Sequence, residues 1–316
     1  KKIITPFICE LQNTKSDFIK GIDWSVVKKV WLKRFLEAYK IYSGLILISI
    51  PESLLVTEVG KPHSKLISLA FQRKGCKVFN FHHGNDSGLL NKKWAYQSLF
   101  AHCNNYVVDT KVICNRLKKI NSKQTSIRKE KTNFISVNSN YYANLRKLPH
   151  RTNSKKIMLM GFPMNLGRYS YDSYLFFNFK IKLENTLIDI MRDSGCLVGY
   201  KAHPDRLEEI KSVILVDDIV EQPFESVWSD AGVLVFTYVS TTTFCYALNL
   251  PIAIVLIEMP ETPWYENMRE IVEKRVEIVK TYVTDNQINI CHNELINAIN
   301  LSKNKVDLNV AEEITG

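Results

Sequence analysis

At 316 residues and 36.5 kDa, with 46% hydrophobic, 11% aromatic and 23% charged residues, the chain has the apolar content of a folded protein, which excludes disorder as its main state. Its length suits two domains of roughly 150 residues. The formal charge of +10 calls for an anionic partner such as a sugar nucleotide, a phospholipid surface, a lipid-linked phosphosugar or a nucleic acid.

In chain order, an amphipathic stretch over Val26–Tyr42 predicts a helix, with Leu32, Phe35, Leu36 and Tyr39 as a core-facing stripe and a basic outer face. That stripe explains the mixture of basic and aromatic residues better than nucleic-acid binding does. Short aliphatic runs at Leu45–Ile50, Val78–His82 and Tyr106–Asp109 predict buried strands, and Leu54–Thr57 is strand-like. Helical spacing returns at Ser64–Lys74, Lys92–Ala101 and Lys111–Ile120. From about Asn121 to Lys156 the composition turns to Lys, Asn, Ser, Thr and Arg, broken only by Phe134–Val137, and the interdomain connection is expected there. The division is accordingly 1–150 and 151–316.

The alternation then resumes. Strands are predicted at Ile157–Phe162, Leu197–Ala202, Ile214–Val216, Val233–Tyr238 and Ile252–Ile257, with helices at Tyr174–Asp193 and Thr242–Leu248. Strands alternating with helices give an α/β chain of two Rossmann-like domains facing a central cleft, with ligands bound at the carboxyl ends of strands. Cys9, Cys76, Cys103, Cys114, Cys196, Cys245 and Cys291 are scattered and form no C-x-x-C pair, which reads as reduced cytosolic thiols and not a disulfide framework or zinc site. No apolar run approaches the roughly 20 residues that cross a bilayer, and none reads as a signal peptide. The chain opens at Lys1 without methionine, as a piece of a longer protein would.

Three segments at predicted strand ends carry candidate chemistry. Tyr200-Lys201-Ala202-His203-Pro204-Asp205-Arg206 offers an imidazole that can donate to a phosphate oxygen, a proline that stiffens the strand exit, and flanking cations. In Phe236-Thr237-Tyr238-Val239-Ser240-Thr241-Thr242-Thr243 an apolar strand runs into hydroxyls that open a helix, where free N–H groups and hydroxyls favour anions. Phe81-His82-His83-Gly84-Asn85-Asp86 closes a first-half strand, and either His83 or Asp86 can serve as general base. Vicinal histidines on a strand point to opposite faces, which speaks against a shared metal. Gly161 and Arg168, in the loop Gly161–Arg168, are placed to approach a donor phosphate, although the loop matches no Walker or dinucleotide fingerprint. Glu58 is a further acidic candidate. Asp217-Asp218 is not a D-x-D metal signature and is read as the end of a strand, and no G-x-S-x-G is present.

As a set these segments resemble the GT-B glycosyltransferases of bacterial surface polysaccharides: the Kdo transferases of capsule and O-antigen assembly, the sialyltransferases with an HP motif and a Ser/Thr motif, and the CDP-glycerol glycerophosphotransferases. The likeness lies in His83-Gly84, in Lys201-Ala202-His203-Pro204, and in Ser240-Thr241-Thr242-Thr243-Phe244 followed by Asn249-Leu250-Pro251, and is strongest over about Lys156–Trp264. It implies that His203 and the hydroxyls of Ser240, Thr241 and Thr242 hold the phosphate of a cytidine nucleotide. It also implies that His83 is the base. Sialyltransferases carry an acidic pair before the glycine, where this chain has His82-His83. If transfer retains configuration, Asp86 or Glu58 is the nucleophile. The implied activity is metal-independent transfer of a sugar, Kdo from CMP-Kdo, with no cofactor beyond that donor, onto a lipid-linked or growing glycan at the cytoplasmic face of the membrane. CDP-glycerol or CDP-ribitol phosphate transfer, CMP-sialic acid transfer, and a degenerate transferase fold serving as a scaffold are the alternatives.

Overall fold

The computed structural model describes residues 6, 9–10, 22–57, 62–84, 87–91, 99–123, 131–149, 154–162, 177–204, 207–285 and 287–316. Four short strands, β1 (Ser53–Thr57), β2 (Lys77–Phe81), β3 (Asn105–Val108) and β4 (Asn133–Ser136), form one sheet in sequence order, with β1, β2 and β3 parallel. Parallel neighbours need crossover connections. The described helices of this half are α1 (Trp24–Leu47), α2 (Pro62–Arg73) and α3 (Lys111–Ser122). The Asp23 carboxylate caps α1 by accepting from the backbone N–H of Ser25 and Val26, and Thr110 caps α3 by accepting from Ile113 N–H.

A second sheet has seven strands in the order β11-β10-β9-β8-β5-β6-β7. These are β5 (Lys156–Met160), β6 (Leu197–Lys201), β7 (Asp218–Val220), β8 (Val233–Phe236), β9 (Ala253–Glu258), β10 (Glu277–Thr284) and β11 (Gln287–Ile290), all parallel except β11, which runs antiparallel to β10. Every residue of β8 and β9 is buried, as expected for central strands covered on both faces. Helices α4 (Tyr141–Arg146), α5 (Phe177–Asp193), α6 (Leu207–Val213), α7 (Phe224–Val227), α8 (Thr242–Leu248), α9 (Met268–Arg275), α10 (His292–Ser302) and α11 (Leu308–Thr315) complete the described elements, with a 3-10 turn at Trp228–Asp230. The main core packs Leu183, Leu187, Ile188 and Met191 of α5 and Leu295 and Ile299 of α10 against Leu159, Tyr200, Val235, Val255 and Ile257 of the sheet. Each such aliphatic side chain contributes about 1.5–3 kcal/mol on burial.

Two buried polar residues tie the connections together. Arg275, fully buried, donates from Nε to Leu248 O at 2.9 Å and from one Nη to Leu250 O at 2.7 Å and Ile252 O at 3.0 Å, which satisfies the C-terminus of α8 and the turn after it. Asn249 Oδ1 accepts from Arg146 of α4 and from the Thr315 hydroxyl of α11, while Thr110 donates its hydroxyl to Thr315 O. Packing divides the chain into two compact units. One is Lys1–Phe81 with Trp94–Val107 and Thr125–Asn133; the other is His82–Lys93 with Val108–Gln124 and Phe134–Gly316. Residue 150, the expected division in sequence, falls between β4 and β5.

Several local expectations are corrected. Leu45–Leu47 ends α1 instead of starting a strand, because nothing breaks the helix before Ile48. The stripe expected to face the core leaves Phe35, Leu36 and Tyr39 at least half exposed, and α1 has no buried residue. Ile214–Val216 is a connection; the strand begins at Asp218, where Asp217-Asp218 opens β7 instead of closing a strand. The polar stretch 121–156 contains β4 and α4. Most of the helix expected at Lys92–Ala101, and residues 174–176 of the next, lie outside the described residues.

Candidate functional site

Strands β8, β5 and β6 are neighbours, and their register places Phe236, Met160 and Lys201 in line at the carboxyl edge of the sheet. The chain therefore leaves the three strands side by side, at Thr237, Gly161 and Ala202. With strands about 4.8 Å apart, the outer two exits stand about 10 Å apart. His203, half-buried, and Pro204, exposed, follow β6, while Ser240 and Thr241, both half-buried, and Thr242, exposed, follow β8. This is the edge at which open α/β sheets bind ligands.

The expected donor residues have distinct surroundings. Lys201 is buried: its ammonium donates to Ala202 O at 2.6 Å, and burial pushes its pKa down against the opposing pull of Glu225 and Glu221. Thr241 serves as N-cap of α8, its hydroxyl accepting from Phe244 N–H at 2.9 Å, so one of the expected phosphate ligands has a structural partner. The Thr242 hydroxyl donates to His83 O at 3.4 Å, which sets the His83-Gly84 turn against the start of α8. Gly84 has φ of +80°, and a Cβ there would lie 3.2 Å from Thr242 Cγ2, so both conformation and space call for glycine. The His83 side chain is exposed. Glu58, Asp86 and Arg168, together with Asp205 and Arg206, lie outside the described residues.

Beneath the three exits lies a polar cluster that the sequence reading missed. Glu184 of α5, with no exposed surface, accepts from Phe162 N–H at 3.2 Å and from the Thr237 hydroxyl at 3.2 Å through Oε1, and from the Tyr200 hydroxyl at 2.8 Å through Oε2. Lys180, one turn earlier and equally buried, donates to Thr237 O at 3.1 Å and lies 4.9 Å from the Phe162 ring centroid. Burial raises the Glu184 pKa, opposed by Lys180 and the three donors, and lowers that of Lys180 to about 8. Gly161 belongs to this cluster, since a Cβ there would come within 2.4 Å of the Tyr200 hydroxyl. The signal was present in the sequence: Lys180 and Glu184 occupy the helical stripe of Leu183, Leu187, Ile188 and Met191.

Beside the β8 exit, a small recess is lined by Leu90, Tyr238, Val239, Met259, Thr262 and Pro263 among others. Leu90 bridges to Trp264, and Asn91 N–H donates to Pro263 O, so the segment after the His83-Gly84 turn runs along the exit of β9. Glu258, at the end of β9, is engaged by Arg269 and by Trp264 Nε1–H.

Solved structures share this fold. The chain is similar to S. aureus MnaA, solved with UDP, at 9% identity over 88% of this chain and 74% of that one, with a TM-score of 0.50. It is similar to the UDP-GlcNAc 2-epimerase of Neisseria meningitidis bound to UDP-GlcNAc, at 11% identity over 88% and 76%, TM-score 0.50. Os79 of O. sativa, in complex with UDP and deoxynivalenol-3-glucoside, matches at 10% identity over 88% and 76%, also with a TM-score of 0.50. At such identities the likeness is one of fold: α/β with parallel-sheet, Rossmann-like domains, as the motifs led one to expect. No family model and no curated protein matches the chain.

Proposed function

We propose that the chain is a glycosyltransferase that uses a nucleotide sugar as donor. The observation that carries the reading is the single edge at which Gly161, His203 and Ser240 leave three adjacent strands, with the Thr242 hydroxyl on the His83-Gly84 turn. In this reading His203 and the hydroxyls of Ser240 and Thr241 hold the donor phosphate, Thr241 giving its own proton while it accepts from Phe244 N–H; Thr242, whose proton goes to His83 O, joins them once released from that carbonyl, Pro204 stiffens the strand exit, Lys201 adds buried positive charge, and Arg168 follows β5 in sequence. An acceptor hydroxyl attacks the anomeric carbon, its proton passes to His83, and the bond from that carbon to the phosphate oxygen breaks. The resulting negative charge rests on the phosphate, where donors from His203 and the hydroxyls stabilise it. Asp86 and Glu58 remain the carboxylates of the proposal, as alternative base or nucleophile.

The finer donor assignment, CMP-linked Kdo, rests on the HP and Ser/Thr motifs. A UDP-sugar is the second reading, favoured by the similar structures solved with UDP and UDP-GlcNAc. The division at residue 150 into acceptor and donor domains, the lipid-linked or growing glycan acceptor and the cytoplasmic location belong to the same proposal. Among the described residues no helix is long and apolar enough to cross a membrane. Helix α1 presents exposed Val26, Val30, Trp31, Phe35 and Leu36 together with Lys28, Lys29, Lys33, Arg34 and Lys40, a combination suited to an anionic lipid surface. Flotation with anionic liposomes at low salt is expected to carry the protein upward; sedimentation alone removes the membrane contact from the proposal.

A thermal-shift panel of CMP, CDP, UDP and GDP tests the donor, because a ligand of the folded state must raise Tm. A shift with CMP supports the cytidine reading and a shift with UDP the second one. His203→Ala is expected to abolish the shift, and no shift with any nucleotide overturns the proposal.

A further inference from the structure

The Glu184 carboxylate touches the exits of three strands at once. It accepts from the backbone of Phe162 after β5, from the ring hydroxyl of Tyr200 in β6, and from the hydroxyl of Thr237 after β8. Lys180 adds a bond to Thr237 O, and the Phe162 ring packs edge-on against Tyr238 at 4.9 Å between centroids. Burying two opposite charges that share no direct salt bridge is a poor device for stability, because their attraction at a distance does not offset the desolvation of both. A fully satisfied buried network does, however, fix the geometry of the backbone it holds. Here the backbone held is that of the loops leading to Gly161, His203 and Ser240.

We propose that Glu184, supported by Lys180, is the positioning residue of the donor site: its three accepted hydrogen bonds set the spacing of the strand-exit loops that receive the nucleotide phosphate. This rests on the nucleotide reading above. Neither side chain touches the nucleotide. Their effect passes through Phe162, Thr237 and Tyr200, and loops displaced by a fraction of an ångström cease to converge on one phosphate.

The test compares nucleotide affinity with unliganded stability in the same variants, using whichever of CMP or UDP shifts the wild type. The double variant Lys180→Met/Glu184→Leu, which removes both charges but leaves the Phe162, Tyr200 and Thr237 donors without their acceptor, is expected to fold with a lowered Tm without nucleotide and to bind nucleotide at least about tenfold more weakly. Glu184→Gln, which keeps the volume and one acceptor oxygen, is expected to fall between, at about threefold. A double variant that binds within twofold of wild type overturns the inference. If the double variant does not fold, Glu184→Gln decides: weaker binding at unchanged Tm supports the inference, and unchanged binding overturns it. A wild type that binds no nucleotide overturns the transferase reading and this inference together, whereas tight binding that survives both variants overturns this inference alone.

Discussion

Helix Trp24–Leu47 carries Val26, Trp31, Phe35, Leu36 and Tyr39 at 49–60% exposure, while helix Phe177–Asp193 holds Lys180 and Glu184 with no exposed surface at all. The first packs along α2, where Tyr42 and Leu45 join the small cluster of Ala70, Phe71 and Cys76. The second lies against three strands whose ends present a free N–H, two hydroxyls and a carbonyl, and these meet every charge it brings inside. The pair teaches that what a helix buries is decided by the partners its neighbours offer, not by its own composition. A lysine goes inside where an acceptor awaits it; a tryptophan stays half outside on a helix that, among the described residues, packs chiefly along α2.

The comparison can be broken by mutation, most forcefully at the buried Lys180 and Glu184. Glu184→Leu alone strands Lys180 beside three unmet donors and is expected to cost about 4 kcal/mol in denaturant unfolding, whereas the double variant Lys180→Met/Glu184→Leu recovers only the part due to the stranded charge and keeps the cost of the unmet donors. Arg275→Met, which removes the side-chain donor from three buried carbonyls and leaves Leu250 O with another, from Ile252 N–H, is expected to cost about 3 kcal/mol by the same measurement.

The titration of Lys180 sharpens the contrast. Its folded pKa of about 8 lies below the ordinary 10.5, so unfolding takes up a proton between those values and stability rises with pH across that window. The gain attributable to Lys180 is about 3 kcal/mol, read as the difference between wild-type and Lys180→Met stability curves from pH 8 to 10.5. A flat difference refutes the buried, depressed lysine. Gly84→Ala, forced to a positive φ against Thr242, is expected to lose about 1–2 kcal/mol. Phe35→Gln on the exposed helix is expected to change stability by less than about 0.5 kcal/mol; a larger loss shows that this face is covered in solution.

The parts of the fold that were legible are those where one physical signal acted alone. Val233–Phe236 and Ala253–Glu258 are buried on both faces, so their apolar runs had no second meaning. Thr242–Leu248 was expected with its observed bounds because Thr241 announces the cap. Leu45–Leu47 was misread because a short aliphatic run fits a strand and a buried helix turn equally. Strand Glu277–Thr284 carries charged and aromatic side chains on an exposed face, so Lys280 and Tyr282 hid the alternation. Among the site residues, His203 and Ser240 follow the exits of β6 and β8, one on each side of β5, while Lys201 turns inward. The glycine at 161 answers to the Tyr200 ring, a cause invisible without the third dimension. Lys180 and Glu184 were passed over because charged residues are ordinarily assigned to the surface.

The bond from Thr110 to the carbonyl of Thr315 spans 205 residues, and Thr315 also holds Asn249. A ribosome adding about 5–20 residues each second needs roughly 10–40 s to span that interval. Throughout it, the end of the nascent polypeptide that holds Thr110 waits for a partner not yet made. A polypeptide released before residue 315 is added therefore keeps this joint open.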